Sequence, residues 1–200
     1  MTEDPIRDGE NWFAYVGNNP VNWVDPDGRI QKHKNGTIDF YPIGEKEVIT
    51  GNSGKTITVQ YGYILANDGT KIKARYNYSR DVKSENFDCH GLTFTDGMLW
   101  IDNSEVEALL KADRYEKVNN NPSPGDVMIQ KNRSGKIIHS ATVVAVNANK
   151  NTVKVREAIG SMEFKLQNGK LTRVIEQEYK INDFLEFYKR PEDKIIKCKD

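Results

Sequence analysis

The chain is poor in the side chains that most often carry nucleophilic or metal chemistry. Its 200 residues hold two cysteines, Cys89 and Cys198, and three histidines, His33, His90 and His139. A tetrahedral zinc site built from so few Cys and His would need carboxylates in an unusual layout, so no metal and no cofactor are expected. One cysteine lies mid-chain and the other near the C-terminus, a poor disulfide framework; two free thiols suit a reducing compartment. Net charge is missing as well: 29 Lys and Arg cancel 29 Asp and Glu. Nucleic acid or an anionic membrane as the main partner needs a basic surplus, so both are excluded in that role. No apolar run approaches the roughly 18 residues of a membrane span. The start, MTEDPIRDGENW, lacks the basic and apolar regions of a signal peptide. The expectation is a protein made in the cytoplasm whose export depends on something outside this chain.

Two hundred residues suffice for one domain with a core, or for one domain with a short appendage. Residues 1–28 have a composition of their own. DPIRDGENWFAYVGNNPVNWVDPDG interleaves Trp12, Phe13, Tyr15 and Trp23 with Asn, Asp, Pro and Gly turns. Alone, 28 residues cannot bury those aromatics, so the stretch reads as the torn edge of a larger β structure. FAYVGNNPVNWVDPDG closely resembles the end of the RHS-repeat core, the shell of bacterial polymorphic toxins. The resemblance covers residues 3–28 and implies that a variable effector domain begins after them. It also implies self-cleavage of the shell by two aspartates of Asp-Pro-x-Gly motifs. Asp25 matches the second of these. Asp4-Pro5 resembles the first, although Arg7 stands where that motif has glycine. Asp25 serves equally well as a turn former.

Residues 29–80 read as a β-rich lead-in or a set of edge strands. GTIDFYPI, KTITVQYGYIL and KIKARYNYS carry β-branched and aromatic residues between Asn- and Gly-containing turns. Residues 81–200 read as the effector domain. Helices are expected at 89–100 and 103–113, and a short one at 182–189 capped by Asn182 or Asp183. Between them, DVMIQK, HSATVVAVNA, NTVKVREAI, MEFKLQ and TRVIEQEYKI read as strands. Helices first and an antiparallel sheet second predict an α+β class.

The stretch ENFDCHGLTF sets a thiol between a carboxylate and an imidazole. Asn86 or Asp88 can cap a helix beginning at Cys89. A helix start favours a thiolate and aims the backbone amides of Cys89 and His90 at the space where an oxyanion forms. His90 is a poor base for its neighbour, because consecutive helical residues point about 100° apart; substrate contact is its expected role. His139, at the mouth of a buried strand, is the candidate base. A hairpin turning about residues 149–151 would set position 157 opposite 141–143, so Glu157 is the candidate orienter of His139. Asp126, in a Pro-Gly-Asp turn, reads chiefly as structural, and Trp100 as core.

This order of elements resembles the papain-like superfamily in its bacterial NlpC-type and CHAP forms. In those forms a cysteine at a helix start is followed by a Gly-Asp, a strand-leading histidine and a polar third residue. Cys89, Gly125-Asp126, His139 and Glu157 occupy those positions. Those families usually carry Asp-Cys-Ser-Gly where this chain has Asp-Cys-His-Gly, and often His at the third position. The resemblance implies a papain-like fold with N-terminal helices packed on an antiparallel sheet, and a contribution of Tyr78 or Tyr76 to the oxyanion site. It implies an RHS-associated toxin acting as a cysteine amidase or peptidase. Its partners would be a peptide or peptidoglycan-stem substrate, the RHS shell and a cognate immunity protein. A deamidase or transglutaminase using the same three residues, and an inactive binding module, are the alternatives.

Overall fold

The computed structural model describes residues 23–24, 31–33, 39–50, 56–78, 87–119, 121–159, 165–167 and 170–191. The first half of the chain builds a seven-stranded sheet. Its strands are β1 (Trp23–Val24), β2 (Gln31–His33), β3 (Asp39–Pro42), β4 (Glu47–Thr50), β5 (Thr56–Leu65), β6 (Lys71–Asn77) and β7 (Trp100–Ile101). They run in the order β1-β2-β3-β5-β6-β7, with β4 also paired to β5. Between β6 and β7 lies helix α1 (Cys89–Thr95), and after β7 comes α2 (Val106–Ala112). The second half builds a six-stranded sheet from β8 (Glu116–Val118), β9 (Val127–Lys131), β10 (Ile137–Asn147), β11 (Thr152–Ala158), β14 (Val174–Lys180) and β15 (Leu185–Lys189). Its order is β14-β11-β10-β9-β15-β8. A separate hairpin pairs β12 (Lys165–Gln167) with β13 (Lys170–Thr172).

The α+β, papain-like expectation of helices packed on one antiparallel sheet is overturned. Among the described residues the chain is mostly β, with two large antiparallel sheets, a two-stranded hairpin and two α-helices of seven residues each. Local chemistry explains the difference. The helix expected over 89–100 stops at Thr95, because Asp96 and Gly97 both take left-handed backbone, with φ of 50° and 78°. The Thr95 hydroxyl bonds the Gly91 carbonyl at 2.7 Å and receives the Leu99 N–H at 3.1 Å, closing the last turn. The expected helix at 182–189 is the strand β15. Leu185 and Phe187 alternate into the interior, and Asn182 caps a turn onto the Phe184 N–H rather than a helix. Among the described residues no helix is long and apolar enough to cross a membrane.

Two apolar clusters hold the fold. The larger joins sheet one, both helices and one face of sheet two: Phe40, Ile72, Leu99, Ile101, Leu109 and Ile129 belong to it. It runs across residue 80, so strands on both sides of that position share one interior. The smaller occupies the other face of sheet two, with Met128, Ala141, Val143, Val153, Val155 and Phe187. Val127 and Ile129 enter the first cluster and Met128 the second, as the two-residue strand period requires. Each such Leu, Ile, Phe or Met side chain contributes roughly 1.5–3 kcal/mol on burial.

Candidate active site

The segment around Cys89 is tightly fixed. Asp88 is the N-cap of α1, and its Oδ1 accepts the Gly91 N–H at 2.6 Å. Such a cap is worth about 1 kcal/mol. The same oxygen accepts the Ile101 N–H at 3.3 Å, which draws β7 across the first turn of the helix. The crossing is close enough that a Cβ at Gly91 would run into the Leu99 carbonyl oxygen. Glycine after Cys-His is therefore a packing requirement. Because Asp88 consumes the Gly91 N–H, that amide is not available to an oxyanion.

Sheet two supplies the facing groups. In the β10–β11 hairpin Thr142 stands opposite Arg156 and Val143 opposite Val155. This register carries Glu157 to the neighbourhood of His139. A β-bulge between Ile137 and His139 interrupts the pairing with β9 just before the histidine, a device that re-aims a side chain. His139 Nε2 lies 2.6 Å from Glu157 Oε2, which leaves Nδ1 as the ring nitrogen for Cys89. Glu157 is 2% exposed. Its carboxylate is also held by the Tyr179 hydroxyl, at 2.9 Å to Oε2 and 3.1 Å to Oε1. A buried carboxylate needs such partners, since removing them would strand a charge at a cost of several kcal/mol.

The electrostatics follow from this placement. Burial opposes ionisation of the Cys89 thiol, but the hydrogen bond with His139, and after it the influence of His90, bring the thiol down to about 6. Burial likewise opposes charge on His139. Its hydrogen bonds to Cys89 and then Glu157 outweigh that and lift the imidazole to about 9. Between those values the stable form is a thiolate–imidazolium pair. The forces acting on the sulfur come from histidines; the expected help from the helix start is slight in a helix of only seven residues. Burial, followed by the bond to the Glu157 carboxylate, pushes the Tyr179 phenol up and keeps it a donor.

An open cleft of about 530 Å³ exposes the pair, with Phe87, Cys89, Trp100, His139, Glu157 and Tyr179 in its wall. Trp100, read from sequence as core, thus belongs to the cleft. Arg173 closes the far side: its Nη1 and Nη2 donate at 3.3 Å to the carbonyls of Phe87 and Ile159, tying the entry to α1 to the end of β11.

Several expected residues lie elsewhere. Tyr78 does not line the cleft. It packs edge-on against Tyr76 at 4.7 Å, with Lys46 Nζ 4.2 Å from its ring centre, so it cannot serve the oxyanion site in this arrangement. His90 is 0% exposed. With both ring nitrogens occupied by Ser140 and Asn103 it has no access to a substrate. Asp126 is a turn residue: Oδ2 accepts the Ser123 N–H at 2.7 Å and its carbonyl accepts the Val143 N–H at 2.8 Å. Asp4, Asp25 and Cys198 lie outside the described residues. Tyr179 and Arg173 escaped the sequence reading. Strand alternation puts Tyr179 on the same face as Ile175, which stands opposite Glu157, but Tyr179 itself stands opposite Val153, so spacing alone does not bring its hydroxyl to the carboxylate. Among the described residues no group of three or more His, Cys, Asp or Glu could hold a metal ion. Comparison with protein-family models, curated proteins and solved structures gives no match for this chain.

Proposed function

We propose that the chain is a cysteine hydrolase cutting amide bonds, with Cys89 as nucleophile, His139 as general acid and base, and Glu157 as its orienter. The observation that carries this is the His139–Glu157 bond of 2.6 Å beside a thiol brought down to about 6, all opening on one cleft. In a hydrolysis cycle the Cys89 thiolate adds to the carbonyl carbon and forms the C–S bond. The His139 imidazolium gives its proton to the leaving nitrogen as the C–N bond breaks. The neutral ring then takes a proton from water, which attacks the thioester and returns the thiolate. Glu157 holds Nε2, fixing which nitrogen faces the sulfur and favouring the charged ring; Tyr179 fixes Glu157.

The resemblance of residues 3–28 to the end of an RHS shell supports placing this hydrolase as a delivered bacterial toxin. Its substrate class would be peptides or peptidoglycan stems, and a cognate immunity protein would be its natural antagonist. The test expresses the full chain in a bacterium, with and without a secretory leader. Killing is expected in at least one compartment and is expected to vanish with Cys89→Ala at unchanged protein level. Killing confined to the leader-bearing form points to the cell wall. Toxicity that survives Cys89→Ala overturns the hydrolase.

A further inference from the structure

We infer that His90 is an imidazolium at neutral pH, buried beside Cys89 as a second counter-charge to the thiolate. Four short polar contacts form one chain below the nucleophile. Asn103 Oδ1 meets His90 Nε2 at 2.8 Å, and His90 Nδ1 meets Ser140 Oγ at 2.7 Å. Ser140 Oγ meets Thr93 Oγ1 at 3.0 Å, and Thr93 Oγ1 meets the Cys89 carbonyl oxygen at 2.8 Å. Each contact needs one hydrogen. Both ends of the chain, an amide oxygen and a peptide carbonyl, can only accept.

The two hydroxyls bring one hydrogen each. A neutral imidazole brings one more, which makes three hydrogens for four contacts. An imidazolium brings two and satisfies all four: Thr93 donates to the Cys89 carbonyl, Ser140 to Thr93, and the ring to Ser140 and Asn103. Ser140 has one further contact, to the Cys89 carbonyl at 3.4 Å, and it competes for the same Ser140 hydrogen. A neutral ring would leave two acceptors face to face at one of the four contacts, of which the two made by Ser140 to His90 and Thr93 are buried. Reversing the Asn103 amide would serve a neutral ring, so the proton on Nε2 is what decides.

The charges around His90 favour the cation. Burial disfavours it, but Cys89, then Asp88, then the Asn103 bond outweigh burial and raise the imidazole above its ordinary range. From β6, Arg75 pairs with Asp102 at 3.0 Å and also acts on Asp88. From β10 and the turn before α2, the groups bonded to the ring are the neutral Ser140 and Asn103. Two cations border this chain of contacts and oppose charge on His90: His139, next to Ser140 on β10, and Arg190, bonded to the Thr93 carbonyl at 3.0 Å. His90 is then a positioning residue acting through Cys89. It favours negative charge on the sulfur whichever form His139 is in, both in the resting enzyme and when the thioester breaks and the thiolate departs.

The consequence for catalysis rests on the proposed hydrolase, but the charge state itself is read without any substrate. In the full chain labelled with ¹⁵N-histidine, both ring nitrogens of His90 are expected to carry protons at pH 7.5, with assignment by His139→Gln and His33→Gln. A His90 with one bare ring nitrogen at that pH overturns the inference. The second arm follows iodoacetamide alkylation of Cys89 against pH, read on its own peptide by mass spectrometry so that Cys198 does not interfere. Replacing the exposed Asn103 by Leu is expected to raise the thiolate midpoint by at least about one pH unit, and Asn103→Asp to restore it. A midpoint unchanged in Asn103→Leu also overturns the inference. If both results come out as expected and the chain still kills through Cys89→Ala, the hydrolase fails and the imidazolium stands.

Discussion

The two sheets are built from similar strands but bury different things. Within the strands of the first sheet, the buried polar side chains among the described residues are Gln60 and Asn77. Gln60 spends its amide on the Gly44 carbonyl at 2.6 Å, a turn-holding task. Along the seam between α1 and the second sheet, by contrast, lie His90, Thr93, Ser140, Glu157, Arg173 and Arg190, all buried. Arg190 donates to the Thr93 carbonyl at 3.0 Å and the Thr142 hydroxyl at 3.2 Å. Burying polar and charged groups costs free energy unless each finds a partner. One half of the interior is thus a stability core. The other tolerates that cost in exchange for a sulfur that ionises near neutral pH.

The comparison can be broken from either side. The largest expected stability effect is in the apolar half. Phe40, 1% exposed, packs over Gly62; Phe40→Ala should destabilise by about 3–5 kcal/mol. Denaturant unfolding measures this, and the alkylation profile of Cys89 in the folded protein should not move. On the polar side Glu157→Gln keeps an acceptor for His139 but removes the charge. Turnover should fall roughly 10²-fold, and the alkaline limb of the pH–rate profile should move below 9. An unmoved limb would show that Glu157 does not sustain the imidazolium. A smaller effect is expected from Tyr179→Phe, which removes one hydroxyl donor from the Glu157 carboxylate. It should cost about 1.5 kcal/mol, seen in unfolding, while Cys89 alkylation remains.

The smallest effect is an expected silence. The depressed Cys89 contributes stability above the ordinary thiol range, and that contribution is lost as pH falls through about 6. The raised His139 contributes stability below the ordinary imidazole range, lost as pH rises through about 9. Over the same window one contribution grows while the other shrinks. Between pH 6 and 9 the melting temperature should therefore change little on account of this pair, while the alkylation rate of Cys89 switches on near pH 6. A melting temperature that tracks the alkylation curve would mean that the two groups do not titrate as a pair.

Much of the second sheet was legible in the chain. The alternation in HSATVVAV and TVKVREA set strands, and the Asn-rich turn between them fixed the pairing that brings 157 towards 139. Helix length was not legible. The apolar spacing of Leu92 and Leu99 suggests a helix through residue 100, but the Asp96-Gly97 turn ends it and Leu99 is buried from the bend before β7. The C-terminal segment was misread for a related reason: Asn182 looks like a helix cap, and only pairing with β9 shows Leu185 and Phe187 as strand residues. An imidazole beside a nucleophile suggests substrate contact for His90. Its burial depends on Asn103 and Ser140, 13 and 50 residues away.

By itself the sequence determined the chemistry available: one thiol capped by Asp88 at a helix start, one histidine at a strand mouth, and one glutamate in reach through a short hairpin. These are local matters of capping and two-residue alternation, which act over a few residues. Only the tertiary structure decided which imidazole faces the sulfur, which is sealed under it, and that Tyr179 and Arg173 complete the surround. Those outcomes depend on how β7, β10 and β11 close around α1, with β14 beside β11. Such long-range packing is set by the joint burial of groups far apart in the chain, so no single stretch of sequence records it.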